Sequence, residues 1–165
     1  MADDFTTGTR SAACGGNTTI LPFCLPEEGQ TLREAVTAYR AKAEGKCMTD
    51  VSFHLIVKET DPVTLGQDLP ALIQAGYTSF KVFMTYAGLA LSDRQILDVM
   101  AVAKEQNAMV MVHAENEDAI EFLRDQAERA GETGPYHHAT TRPVPVEREA
   151  THRAISLAEI AGVPL

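Results

Sequence analysis

Apolar residues along the chain occur in two alternating kinds of run. Four are short and nearly continuous: Thr18-Thr19-Ile20-Leu21-Pro22-Phe23, Val51-Ser52-Phe53-His54-Leu55-Ile56-Val57, Ser79-Phe80-Lys81-Val82-Phe83-Met84 and Met109-Val110-Met111-Val112-His113. Rich in β-branched and aromatic residues, they read as strands. Between them, apolar positions return at spacings of three and four. Leu32, Ala35, Val36, Tyr39 and Ala43 share one helical face, as do Leu65, Leu69, Leu72 and Ile73 ahead of a stop at Gly76. Ser92-Asp93-Arg94-Gln95 has the form of a capping box before Ile96, Leu97, Val99, Met100 and Ala103. Further helices are expected over 118–130, ending at Gly131, and over 147–161, ending at Gly162; residues 2–14 also have helical character.

Strands alternating with helices predict βαβ units and a parallel sheet. The repeat of roughly 30 residues suits either a doubly wound sheet or a (β/α)8 barrel. No GxGxxG or Walker pattern follows any strand, which weakens the nucleotide-binding version. The stretch 132–145, with Gly134, Pro135, Pro143 and Pro145, is expected to be a long irregular loop of the kind that often carries function. A complete barrel needs about 250 residues, and this chain has 165. It opens on helical sequence and closes on Gly162-Val163-Pro164-Leu165, which resembles the start of another strand. The expected fold is therefore α/β: a partial (β/α)8 TIM-type barrel holding about strands 2–5 with their helices. On this reading all of 1–165 belongs to one barrel domain cut at both ends.

Composition narrows the functional classes. A hydrophobic content of 45% is that of a globular chain. The net charge of −9 disfavours nucleic acid and anionic membrane surfaces as partners. No apolar run approaches the ~20 residues that span a bilayer, and Met1-Ala2-Asp3-Asp4-Phe5 lacks the basic-then-apolar order of a secretion signal. Cys14, Cys24 and Cys47 are widely spaced, form no CxxC pair and are expected to pack as small apolar groups. A reducing cytoplasm is the expected setting.

Two polar residues stand out against the apolar strands. Lys81 reads either as an edge-strand lysine whose ammonium reaches water, or as an amine withdrawn from water. An amine of the second kind loses its proton more readily and can form a Schiff base or add carbon dioxide. His113 reads either as a strand-end histidine bonded to backbone or as a metal ligand. Glu115 and Asn116 after it could orient the ring, or could simply begin a helix with Glu117 and Asp118. Tyr86, just past the third strand, is a candidate hydrogen-bond donor to a developing oxyanion or a packing tyrosine. His54 reads as a satisfied core or cleft histidine, His137 and His138 as loop residues, and His152 as a surface or packing residue.

Taken together, Ser79-Phe80-Lys81-Val82-Phe83-Met84-Thr85-Tyr86 and Met111-Val112-His113-Ala114-Glu115-Asn116 resemble the dihydropyrimidinase/D-hydantoinase branch of the amidohydrolase superfamily. Gly15-Gly16-Asn17-Thr18-Thr19, Tyr136-His137-His138-Ala139-Thr140-Thr141-Arg142-Pro143 and Glu147-Arg148-Glu149-Ala150-Thr151 extend the resemblance over essentially the whole chain. It implies a (β/α)8 barrel with two divalent metal ions, zinc by expectation, at the C-terminal ends of the strands. Lys81 would be carboxylated and bridge both metals, His113 would ligate, and Tyr86 would polarise the scissile carbonyl. Hydroxide held between the metals would open a cyclic amide, a dihydropyrimidine or hydantoin, to an N-carbamoyl amino acid. No other cofactor is implied; the partners are a small cyclic amide and further copies of the chain in a homo-oligomer, a tetramer.

Several parts of that pattern do not occur in these 165 residues: the His-x-His pair after the first strand, the histidine after the sixth and the aspartate after the eighth. The activity is therefore expected of a longer parent and not of this chain alone. Two alternatives stay open. One is a non-catalytic relative that serves as an interaction protein; the other is a related cyclic amidohydrolase acting on allantoin or dihydroorotate.

Overall fold

Parallel pairing joins the four apolar runs side by side. The structure, a computed structural model, describes residues 3–165. β1 (Thr19–Ile20) pairs with β3 (Asp50–Val51), and β2 (Phe23–Cys24) pairs with β4 (His54–Ile56). β4 pairs with β5 (Ser79–Phe83), and β5 with β6 (Met109–His113), every pair parallel. Each of the first two runs is thus split into two short strands, but the backbone ladder continues through the split. Asp50 N–H donates to Thr18 O (3.0 Å), Ser52 N–H to Ile20 O (3.2 Å) and His54 N–H to Pro22 O (3.1 Å). Pro22 has no N–H to give, which accounts for the local break. A doubly wound sheet reverses its strand order at a switch point; among the described residues the order β2-β4-β5-β6 follows the chain without reversal.

The helices are α1 (Phe5–Cys14), α2 (Leu32–Ala43), α3 (Leu69–Gln74), α4 (Asp93–Gln106), α5 (Glu117–Arg129), α6 (His137–Thr140) and α7 (Val144–Ala161). Reciprocal capping boxes start three of them: Asp4/Thr7, Thr31/Glu34 and Ser92/Gln95. A wide π-type turn over Thr64–Asp68 leads into α3, where Pro70 cannot donate the hydrogen bond a regular turn would need. Two expectations for the later part of the chain need correcting. The stretch 132–145 is not wholly irregular, because α6 lies inside it, and α7 begins at Val144 instead of 147. Pro143 occupies the N-cap and Pro145 lies in the first turn, where a missing N–H costs nothing. Of the expected helix over 2–14, residue 2 lies outside the described residues.

The two faces of the sheet are unequal. Cys24, Leu55, Phe80, Val82 and Val110 point toward the helices and are all 0% exposed. They merge with Leu32, Ala35, Val36, Leu69, Leu72, Ile96, Val99 and Met100 into one core. α7 lies against α4 through Ala150, Ala154 and Ala158. Arg153 fastens this packing from Asp93 (2.7 Å) to Glu149 (3.0 Å), while Lys104 Nζ caps α7 at Ala161 O (3.0 Å). The opposite face carries Phe23, His54, Ser79, Lys81, Phe83, Met109, Met111 and His113. On it Phe23 is 40% and Met109 48% exposed. Burial on the helix face should therefore dominate stability. Phe80→Ala should cost about 3–5 kcal/mol and Met109→Ala less than about 1 kcal/mol in urea denaturation of the chain. Equal losses at the two positions would overturn this assignment of the core.

Candidate functional site

The register of β5 and β6 brings the chemistry together. Lys81 pairs with Met111 and Phe83 with His113. Lys81 and His113 thus lie on the same face of adjacent strands, two residues apart in register, with Cα atoms about 8 Å apart from strand spacing and rise. β5 is hydrogen-bonded on both sides, by β4 and β6. The edge-strand reading of Lys81 is therefore wrong: Lys81 is the third of five residues in a strand paired on both sides. Its ammonium lies 4.5 Å from the centroid of the Phe23 ring and 4.9 Å from that of Phe83. Facing aromatic rings attract a cation through their quadrupoles. Among the described residues no carboxylate pairs with it.

His113 is the last residue of β6. Phe83 stacks on its ring at 5.7 Å and 24°, and Tyr86 approaches at 5.0 Å and 46°. Tyr86 reaches this place by an unusual backbone turn with φ +78°, a left-handed conformation that side chains disfavour. The surrounding loop over-determines it: Leu89 and Ala90 N–H both donate to Tyr86 O at 2.9 Å, and Leu91 N–H donates to Phe83 O at 2.9 Å. Strain held this way is found at functional sites. The Nε2 edge of His113 donates to Glu115 Oε2 at 2.7 Å, and the other oxygen of Glu115 faces Arg142 Nε at 3.7 Å.

Glu115 and Asn116 thus do different jobs. Asn116 caps α5 by accepting from Ala119 N–H at 3.0 Å and donates to Glu149 on α7 at 2.6 Å. Glu117 and Asp118 occupy the first turn of α5, where helix-dipole stabilisation suffices to explain them. His54 is satisfied as expected, its Nδ1 hydrogen-bonded to Ser79 Oγ at 2.6 Å and its ring 5.4 Å from Phe23. Burial, reinforced by the charge of Lys81, holds its pKa below the ordinary 6.5. His137 and His138 lie on α6, and His152 is exposed on α7. Cys24 is fully buried and burial pushes its thiol up to about 12, whereas Cys14 is exposed and does not pack as expected.

Sequence reasoning missed Phe23, Phe83, Ser79 and Arg142. Phe83 and Ser79 had a signal, lying two residues either side of Lys81 and hence on its face. Phe23 lies two strands away and Arg142 beyond α5, so no local spacing points to either.

No protein-family model matches the chain. It is 49% identical over 165 residues to a D-hydantoinase of Streptomyces coelicolor, covering 99% of this chain and 35% of that protein. Its fold superposes on a solved D-hydantoinase with TM-score 0.95 at 44% identity, over 99% of this chain and 36% of that one. A dihydropyrimidinase from Brevibacillus agri matches with TM-score 0.91 at 42% identity, over 98% of this chain and 35% of that one. Over nearly its whole length the chain is thus similar to D-hydantoinases and dihydropyrimidinases. It spans about a third of the length of these hydantoinases.

The site has a measurable electrostatic signature. With its folded pKa lowered, His54 binds protons more readily in the unfolded chain. Its contribution to stability is full above about pH 6.5 and falls as pH drops from there toward the folded value. His54→Gln should flatten that part of the profile of Tm against pH. Lys81→Met, which removes the neighbouring charge, should raise the His54 pKa in an NMR titration; an unchanged value would exclude coupling between the two groups.

Proposed function

We propose that this chain forms an arc of a (β/α)8 barrel, about strands 2–5, within the catalytic domain of a metal-dependent cyclic-amide hydrolase. One observation carries the reading: Lys81, His113 and Tyr86 converge on one sheet face, with Tyr86 held in a strained turn against the His113 ring. The donors fit part of a two-metal centre. His113 offers a ring nitrogen, and Lys81 carries an amine free of any carboxylate partner among the described residues. They do not complete one, since no three His, Cys, Asp or Glu side chains among the described residues form a group able to hold a metal. The remaining ligands would come from outside these 165 residues.

In this reading the Lys81 ammonium would lose a proton, and its neutral amine would add to carbon dioxide, forming an N–C bond as a C–O π bond opens and releasing a second proton; the carbamate and His113 would then hold two divalent ions, zinc by chemical preference. Such ions supply Lewis acidity and lower the pKa of water. Tyr86 donates a hydrogen bond to the carbonyl oxygen as negative charge gathers there. Water adds to the carbonyl carbon, the ring C–N bond breaks and the nitrogen takes a proton, leaving an N-carbamoyl amino acid. The substrates are hydantoins or dihydropyrimidines, the assembly is a homo-oligomer, and the three free cysteines suit a reducing cytoplasm. No helix among the described residues is long and apolar enough to cross a membrane.

In a protein spanning the relatives' full length, Lys81→Ala should abolish both bound metal and ring opening, measured by metal analysis and hydantoin turnover. Tyr86→Phe should keep the metal and lower kcat by about 10²–10³ with KM little changed. Full activity and metal content in Lys81→Ala would reject the reading. The purified 165-residue chain should not open hydantoin or dihydrouracil, and turnover by it would show that the ligands present suffice.

A further inference from the structure

We infer that Glu115 is a positioning residue that locks the proton of neutral His113 on Nε2 and so presents Nδ1 as the donor atom. The inference deepens the proposed metal reading and rests on it only for what Nδ1 would bind. Neutral imidazole carries one proton, and the hydrogen bond at one nitrogen decides which nitrogen keeps a lone pair. Here a carboxylate oxygen, Glu115 Oε2, sits 2.7 Å from Nε2. A carboxylate can only accept, so Nε2 must donate. The other ring nitrogen makes no hydrogen bond to any described residue.

The carboxylate is itself held in place. Glu115 is the second residue past the strand and its side chain is mostly buried, with Oε1 facing Arg142 Nε at 3.7 Å. Arg142 is anchored in turn on α6, its Nη1 lying 3.2 Å from His138 Nδ1 and 3.4 Å from His138 O. The stretch 137–142 thereby gains a role in the site that its distance along the chain conceals. Phe83 stacks on the imidazole and Tyr86 packs against it next to Phe83, those two rings lying 6.0 Å apart. Rotation of the ring would break the Glu115 bond and disturb both aromatic contacts. Orienting partners of this kind typically change metal affinity by about 10- to 100-fold when removed.

The test is the tautomer itself, read in the 165-residue chain labelled with ¹⁵N-histidine at a pH where His113 is neutral. Two-bond ¹H–¹⁵N correlations distinguish the Nε2–H form from the Nδ1–H form. The expected result is Nε2–H in the wild type and in Glu115→Gln, whose amide oxygen still accepts. Glu115→Ala should give a mixture of the two forms. Should Glu115→Ala fail to fold, Arg142→Gln provides the second variant, with a partial shift toward Nδ1–H. An Nδ1–H wild type, or an Ala variant that stays Nε2–H, would overturn the inference. Added zinc should then perturb Nδ1; perturbation of Nε2 would also overturn it. Zinc that moves neither nitrogen, with the tautomer lock intact, upholds the positioning role and counts against His113 as a metal ligand, so the two ideas fail separately.

Discussion

The β5–β6 register is the constraint on which the rest depends. Side chains alternate between faces along a strand, so a slip of one residue would exchange the two faces completely. In the register observed, Phe80, Val82 and Val110 go to the helices and Lys81, Phe83 and His113 to the other side. The same hydrogen bonds therefore settle where the apolar core lies and which polar groups meet. A core of fully buried residues resists such slippage strongly, because a one-residue shift would bury Lys81 among the helices and expose Phe80. Stability of the helix face is thus what keeps the chemical face in order.

Much of the fold is legible from local pattern. Ser92 and Gln95 form the capping box their spacing suggests, and Gly131 and Gly162 follow their helices with positive φ. Proline misled where its position mattered more than its presence. Pro143 and Pro145 look like loop residues, yet at the start of α7 they are compatible with a helix. Pro22 interrupts a strand without ending the pairing, since its carbonyl still accepts from His54. Which strand is an edge is a property of the assembled sheet, so no reading of Lys81 and its immediate neighbours could have excluded the edge.

The site is less legible than the fold. Lys81 and His113 announce themselves as polar interruptions of apolar strands, and Glu115 lies close enough in sequence to be suspected. Their grouping depends on parallel pairing between segments about thirty residues apart. The contact of Tyr86 with His113 depends on a left-handed turn at a tyrosine, a conformation that sequence preference would assign to glycine or asparagine. Phe23 and Arg142 enter only through tertiary structure. Local signals thus name the candidate side chains, and long-range ones name the groups that hold them.

The surroundings of Lys81 set the electrostatic sign of the whole cluster. As an ammonium it lies over Phe23 and Phe83, an arrangement that favours positive charge, and its field helps keep His54 neutral. A carbamate at the same atom would reverse that field. The negative charge would sit against ring faces that repel it and would favour a protonated His54 instead. Aromatic rings alone are thus poor company for the carbamate, and only cations close by would stabilise it. The proposed chemistry of Lys81 and the proposed metals are for this reason one hypothesis: in this setting the modified lysine needs the ions as much as the ions need the lysine.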